Sequence, residues 1–181
     1  MTDIVAEIFE LFAQHGAGRY GEDVSLESHM LQSAAMARAL GAPDTLVIAA
    51  LLHDVGHFLR PDGEVALEGC GRNFEHEALG AAWLSRGFGP EITQPIALHV
   101  EAKRYLCAVE PAYFEGLSEA SRISLMAQGG IMSDEEAGAF ALQPGAEAAV
   151  LLRRCDDRGK DTSITVEQLA HYRDLLAASV R

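Results

Sequence analysis

The pentapeptide HDVGH at residues 53–57 sets His53, Asp54 and His57 close together, side chains that can bind a metal ion or move a proton. It closes the apolar stretch LVIAALLHDVGHF, which predicts a buried helix. Adjacent side chains on a helix diverge by about 100 degrees, so His53 and Asp54 can approach one buried point from neighbouring directions. His57, one turn beyond His53 on the same face, can line the same cavity. An HD pair alone is a weak signal, because a single helical histidine is commonly a core residue satisfied by a hydrogen bond. The wider pattern is stronger: His29, His53, His76 and His99 follow at intervals of 24, 23 and 23 residues on separate predicted helices, and Asp156 lies on a later one. Interior ionisable groups are costly unless paired or metal-bound, so the set is expected to converge on metal.

The elements that must position these residues read as helices. Apolar side chains recur at helical spacing in Ile4, Ile8, Leu11 and Phe12 and again in Val47, Ala50 and Leu51, while period-two alternation is nearly absent. The fold is therefore expected to be all-α, a single domain over residues 1–181 with the metal site at its centre. Caps are expected at Ser25, Asp44, Asn73 and Ser118, with capping boxes at Ser133 with Glu136 and Thr165 with Gln168, giving roughly eight helices. Residues 16–23 and 60–72, rich in glycine and polar side chains, suit loops beside a pocket.

Composition narrows the function classes. With 14 basic against 27 acidic side chains the net charge is -13, which disfavours nucleic acid and anionic membranes but permits a small anion in a locally positive pocket. Cys70, Cys107 and Cys155 are widely spaced, so neither a disulfide framework nor a thiolate zinc site is expected. The acidic N-terminal segment is unlike a secretory signal, and no apolar run approaches membrane-spanning length, so a cytoplasmic enzyme with a small-molecule substrate is expected.

The order His29, His53-Asp54, His76, His99, Asp156 resembles the H...HD...H...H...D pattern of the HD-domain superfamily. The resemblance implies that Asp54 bridges two metals, with His29, His53 and Asp156 on one and His76 and His99 on the other. The segments YGEDVSLESHMLQSA, AALLHDVGH, HVEAKRYL, LSEASRISLMAQGG and LRRCDD narrow it to the superfamily's oxygenase branch. That branch implies a mixed-valent Fe(II)/Fe(III) centre using dioxygen to cleave the carbon-phosphorus bond of a 1-hydroxy-2-(amino or trimethylammonio)ethylphosphonate, giving phosphate and glycine or glycine betaine. Tyr20 and Glu22 resemble a loop that covers the site, although the branch carries one more residue between tyrosine and glutamate. By donor type alone, imidazoles and carboxylates suit iron, manganese or zinc.

Side chains near the expected ligands fit an anionic substrate. Lys103 is one turn past His99 and Arg153 precedes Asp156 by three positions, which aims both toward the cavity; pairing with surface acids is the ordinary alternative. Ser121, Ser124 and Gln128 share a helix face at i, i+3, i+7 and, with His57, could surround a phosphonate. Two other readings compete. A metal-dependent phosphohydrolase acting on a phosphomonoester or nucleotide would use nearly the same ligands to activate water. A degenerate interaction module would have no need to retain every one of them.

Overall fold

The computed structural model describes residues 3–18, 24–59 and 75–181, so Tyr20, Glu22, Cys70 and Asn73 lie outside the described residues. Ten α-helices are present among the described residues: α1 (Ile4–His15), α2 (Leu26–Ala39), α3 (Asp44–Leu52), α4 (His76–Leu84) and α5 (Pro90–Val109) in the first half. Then come α6 (Pro111–Gly116), α7 (Glu119–Ala127), α8 (Asp134–Ala141), α9 (Ala146–Arg158) and α10 (Arg173–Ala178). No strand is present among the described residues, in keeping with the all-α expectation. None of these helices is long and apolar enough to cross a membrane.

Helix α3 is the axis of the fold. Leu46 through Leu52 are all buried, and a helix that is apolar on every side must be surrounded by others. Helices α2, α5 and α9 pack against it, and α9 also packs on α2 and α5. The main core joins Ile8 and Phe12 of α1, Met30 of α2 and Leu51 of α3 to Ile96 of α5 and Leu152 of α9. A smaller cluster of Cys107, Leu117 and Leu125 seats α7 against the C-terminal half of α5, next to Lys103.

The predicted caps at Ser25 and Ser118 and the Ser133–Glu136 capping box are present, each hydroxyl accepting an amide of the first turn. Elsewhere the structure corrects the expectation. Asp44 is the first helical residue of α3, and Pro43 occupies the cap. No helix starts at Thr165; Gln168 instead caps a short 3-10 turn, Leu169–Tyr172, before α10. A capping signal cannot nucleate a helix without an apolar face for it to bury.

The most consequential correction lies within HDVGH. Helix α3 ends at Leu52, His53 forms its C-cap, and Val55–Leu59 is a 3-10 turn, so His57 is not one α-helical turn beyond His53. Gly56 explains the change of direction: a Cβ there would fall 1.9 Å from the His76 carbonyl oxygen and 3.0 Å from the Gly80 amide nitrogen. Only glycine lets this turn lie directly on the start of α4, and that contact sets His76 beside Asp54. Gly56→Ala is therefore expected to push α4 away and weaken metal binding on the His76 side by at least about tenfold, leaving the His29 side filled. Metal analysis would show close to half the wild-type content; full content would refute this role for Gly56.

Candidate metal centre

Four helices and the turn that closes α3 bring six side chains together. His29 comes from α2, His53 and Asp54 from the end of α3, His76 from the first residue of α4, His99 from α5 and Asp156 from α9, and all six are buried. The imidazoles are held from behind. His29 Nδ1 donates to the Gly159 carbonyl at 3.0 Å, His53 Nδ1 to the Ala50 carbonyl at 2.8 Å and His99 Nδ1 to the Ile96 carbonyl at 2.7 Å. His76 Nδ1 faces Glu77 Oε2 at 3.4 Å. Because carbonyl oxygens can only accept, Nδ1 of His29, His53 and His99 carries a proton and the Nε2 of each turns inward as a potential ligand atom.

The inward nitrogens meet in pairs, His29 with His53 and His76 with His99, each at 3.2 Å between Nε2 atoms. Asp54 lies between the pairs and divides its oxygens. Its Oδ2 is 3.5 Å from His29 Nε2 and 3.4 Å from His53 Nε2, while its Oδ1 is 3.3 Å from His76 Nε2 and 3.8 Å from His99 Nε2. Asp156 Oδ1 joins the first group, 3.3 Å from His29 Nε2 and 3.9 Å from His53 Nε2. These separations are long for hydrogen bonds and suit donors gathered around a cation. One carboxylate thus faces two sets of imidazoles, the arrangement a bridging ligand requires.

His57 also belongs to this cluster. Its ring stacks on His76 at 4.2 Å between centroids, and its Nε2 is 3.9 Å from Asp54 Oδ1. Among the described residues two triplets have ligand atoms close enough for one cation, His29 with His53 and Asp54, and Asp54 with His57 and His76. The second differs from the expected set by drawing in His57, a position read from the sequence as a substrate contact.

Residues 26–128 match the HD domain, more than half of the chain. The chain belongs to the HD-domain family. Across 168 residues it is 44% identical to the hydroxymethylphosphonate dioxygenase of Gimesia maris, covering 93% of this chain and 84% of that protein. It is also similar to a [1-hydroxy-2-(trimethylamino)ethyl]phosphonate dioxygenase (glycine-betaine-forming) of Leisingera caerulea, 37% identical over 179 residues, 98% of this chain and 91% of the relative. Asp156 lies beyond the segment matched to the HD domain and reaches the cluster because α9 packs on α2 and α5.

The cations around this HD domain's cluster are arranged differently from the sequence expectation. Lys103 is fully buried and donates from Nζ to Ser124 Oγ at 2.7 Å. Arg153 is buried too, but its guanidinium is engaged by protein groups: Nη1 holds Asp156 Oδ2 at 2.7 Å, Nη2 holds Asp157, and Nε donates to Tyr113 Oη at 3.1 Å. Asp156 is interior and Asp157 half-buried, and through Asp156 the guanidinium is placed to orient a candidate ligand. Ser121 and Ser124 share a face yet diverge in contacts, since Ser121 Oγ takes Ser118 at 3.1 Å and Lys160 at 3.4 Å. The buried Oε1 of Gln128 has no hydrogen-bond partner among the described residues. Tyr113, Asp157, Gly159 and Glu77 were not singled out in the sequence. Asp157, four positions after Arg153, was the one with a readable helical spacing.

Electrostatics in the HD site favour cation binding. Burial drives Asp54 and Asp156 toward the neutral acid, but the surrounding imidazoles, and for Asp156 the Arg153 guanidinium, outweigh it and keep both well below the ordinary carboxylate range. Burial and then the neighbouring His76 and His53 push His99 well down, so its imidazole stays neutral as a ligand must. Burial works against a charge on His29 as well, yet Asp156 and Asp54 prevail and raise it to about 10. The thiol of Cys155 is raised by burial to about 11 and is no competing thiolate.

Without metal, His29 is therefore charged at neutral pH, and a metal ion must displace its proton. Below about pH 10 each unit of rising pH is expected to tighten metal binding about tenfold for every proton released. Calorimetric titration of manganese(II) into chelator-treated protein, repeated in buffers of different ionisation enthalpy, should show about one proton released near pH 7. Affinity independent of pH would overturn this charge assignment.

Proposed function

We propose that the protein is a di-iron oxygenase that cleaves the carbon-phosphorus bond of a small hydroxyalkylphosphonate. The observation that carries this reading is that relatives 44% and 37% identical, each matching more than nine-tenths of the chain, are both dioxygenases of phosphonates hydroxylated next to phosphorus. The balanced conversion is R–CH(OH)–PO3H2 with O2 to R–COOH and H3PO4. For hydroxymethylphosphonate the acid is formic acid; for the 2-amino and 2-trimethylammonio substrates it is glycine and glycine betaine. The whole chain, residues 1–181, forms one HD domain in this reading.

His29, His53 and Asp156 would hold one iron and His76 and His99 the other, with Asp54 shared between them. The donor set fits, with inward imidazole nitrogens fixed by their Nδ1 bonds and a carboxylate divided between the two groups. When bound, the irons and dioxygen supply the oxidising chemistry at C1. The protein's own groups hold the anion: Lys103 with Ser124 takes phosphonate oxygens by charge-assisted hydrogen bonds, and Gln128 and His57 complete the contacts. Arg153 acts through Asp156. Tyr20 and Glu22, which the resemblance implies as contacts to the substituent on the second carbon, lie outside the described residues.

The decisive experiment supplies iron(II), ascorbate and oxygen with three substrates, hydroxymethylphosphonate and its 2-amino- and 2-trimethylammonio-ethyl counterparts, and follows oxygen, phosphate and the organic acid. One oxygen consumed per phosphate released is expected. Phosphate release under strict anaerobiosis would instead establish a phosphohydrolase. In the same assay Lys103→Ala is expected to raise the apparent KM about 10- to 100-fold, the loss of one charged hydrogen bond, with metal content unchanged. An unaltered KM would remove Lys103 from the substrate site.

A further inference from the structure

The metal position assigned to His29, His53 and Asp156, the first of the two, is tied across α2 and α9 by groups outside the cluster. Gln32 lies three residues after His29 on α2, on the same helix face, and is 2% exposed. A buried amide is costly unless its donors and acceptor are satisfied, and Gln32 satisfies them largely on the segment that leaves α9. Its Oε1 accepts the Asp161 backbone N–H at 3.0 Å, while Nε2 donates to the Asp161 carbonyl at 2.8 Å and to Ser28 Oγ at 3.1 Å. Two opposed, directional bonds to one residue fix both the position and the orientation of residues 159–161 over α2. Gly159 meets both ligand-bearing helices. Its N–H closes α9 on the Asp156 carbonyl at 2.9 Å, and its own carbonyl accepts His29 Nδ1 at 3.0 Å. A Cβ at this position would fall 2.6 Å from Ser33 Oγ and 2.8 Å from the His29 carbonyl oxygen, so glycine permits the approach.

We infer that Gln32 is a positioning residue for the first metal position: by clamping residues 159–161 onto α2 it holds the Gly159 carbonyl against His29 Nδ1 and sets the spacing between His29 and Asp156. A hydrogen-bonded path runs from α2 through Gln32, Asp161 and Gly159 to the end of α9, so the two ligands are held as a pair although 127 residues lie between them in the chain. Outer groups that fix a ligand's orientation change metal affinity about 10- to 100-fold. The second position draws His76 from α4 and His99 from α5, neither of which carries the clamp. The inference rests on the proposed division of ligands between two metals.

The test titrates manganese(II) into chelator-treated full-length protein by calorimetry, with each position isolated in turn: His76→Ala leaves the first to be read alone, and Asp156→Ala the second. Gln32→Met keeps the side-chain volume and removes the amide. It is expected to weaken manganese binding about tenfold in the His76→Ala background and by less than about twofold in the Asp156→Ala background. Gly159→Ala, which leaves the amide in place but displaces the carbonyl, is expected to show the same selectivity. A purely structural role would lower affinity at both positions alike, so equal weakening in the two backgrounds would overturn the inference, as would unchanged affinity at the first. Failure of the ligand division reads differently: His76→Ala with Gln32 intact would then bind two ions or none, and this inference would fall with it. Metal affinity needs no turnover, so the result stands apart from failure of the oxygenase assay.

Discussion

Asp54→Ala is expected to lower turnover by on the order of a thousandfold or more and to strip metal from both positions at once. Asp54 is fully buried, and its two oxygens face separate imidazole pairs at 3.3–3.8 Å, so among the described residues no other side chain is placed to serve both cations of the proposed centre. Metal ions contribute several kcal/mol to the transition state, and each ~1.4 kcal/mol lost is tenfold in rate. Asp54→Asn separates charge from shape: the amide fills the same space but cannot neutralise two cations, so it should fail almost as badly. Histidine variants offer the comparison. His29→Ala or Asp156→Ala should empty the first position and His76→Ala the second, whereas Asp54→Ala empties both. Elemental analysis beside rate measurement checks this, and two retained metals in Asp54→Ala would refute the bridge.

Arg153→Met is expected to destabilise the fold by about 3–5 kcal/mol, because it leaves Asp156 buried beside the cluster without its guanidinium. For a chain of this size that corresponds to a melting temperature lower by on the order of 10 °C. Metal affinity at the Asp156 position should fall about 10- to 100-fold, the usual effect of removing a group that orients a ligand. Arg153→Lys should recover little, since an ammonium cannot reach Asp156, Asp157 and Tyr113 together as the planar guanidinium does. The sequence alone pointed to a substrate contact, which predicts a raised KM with normal melting and metal content. Thermal melting with metal analysis distinguishes the two, and normal values in Arg153→Met would restore the substrate role.

Much of the candidate site was legible because its signal is chemical and local. Histidines spaced through helices at near-equal intervals, with an HD pair inside an apolar run, have few inexpensive fates in a protein interior other than metal. The all-α class followed from helical spacing, and the caps at Ser25, Ser118 and Ser133 from side chains that satisfy first-turn amides within a few residues. Each of these depends on neighbours along the chain.

What the chain order left open depends on approach between distant segments. The break of α3 after Leu52, the stacking of His57 on His76 and the contact of Gly56 with the start of α4 arise from packing two elements together. Helical spacing likewise aimed Arg153 at the cavity but could not show that Asp157 and Tyr113 would hold it, because Tyr113 comes from α6, 40 residues away. Residue type and local spacing thus determined which groups could bind metal. Only the tertiary structure decided which oxygen of Asp54 faces which imidazoles and which acids engage Arg153, since those outcomes depend on through-space distances between helices that sequence spacing does not encode.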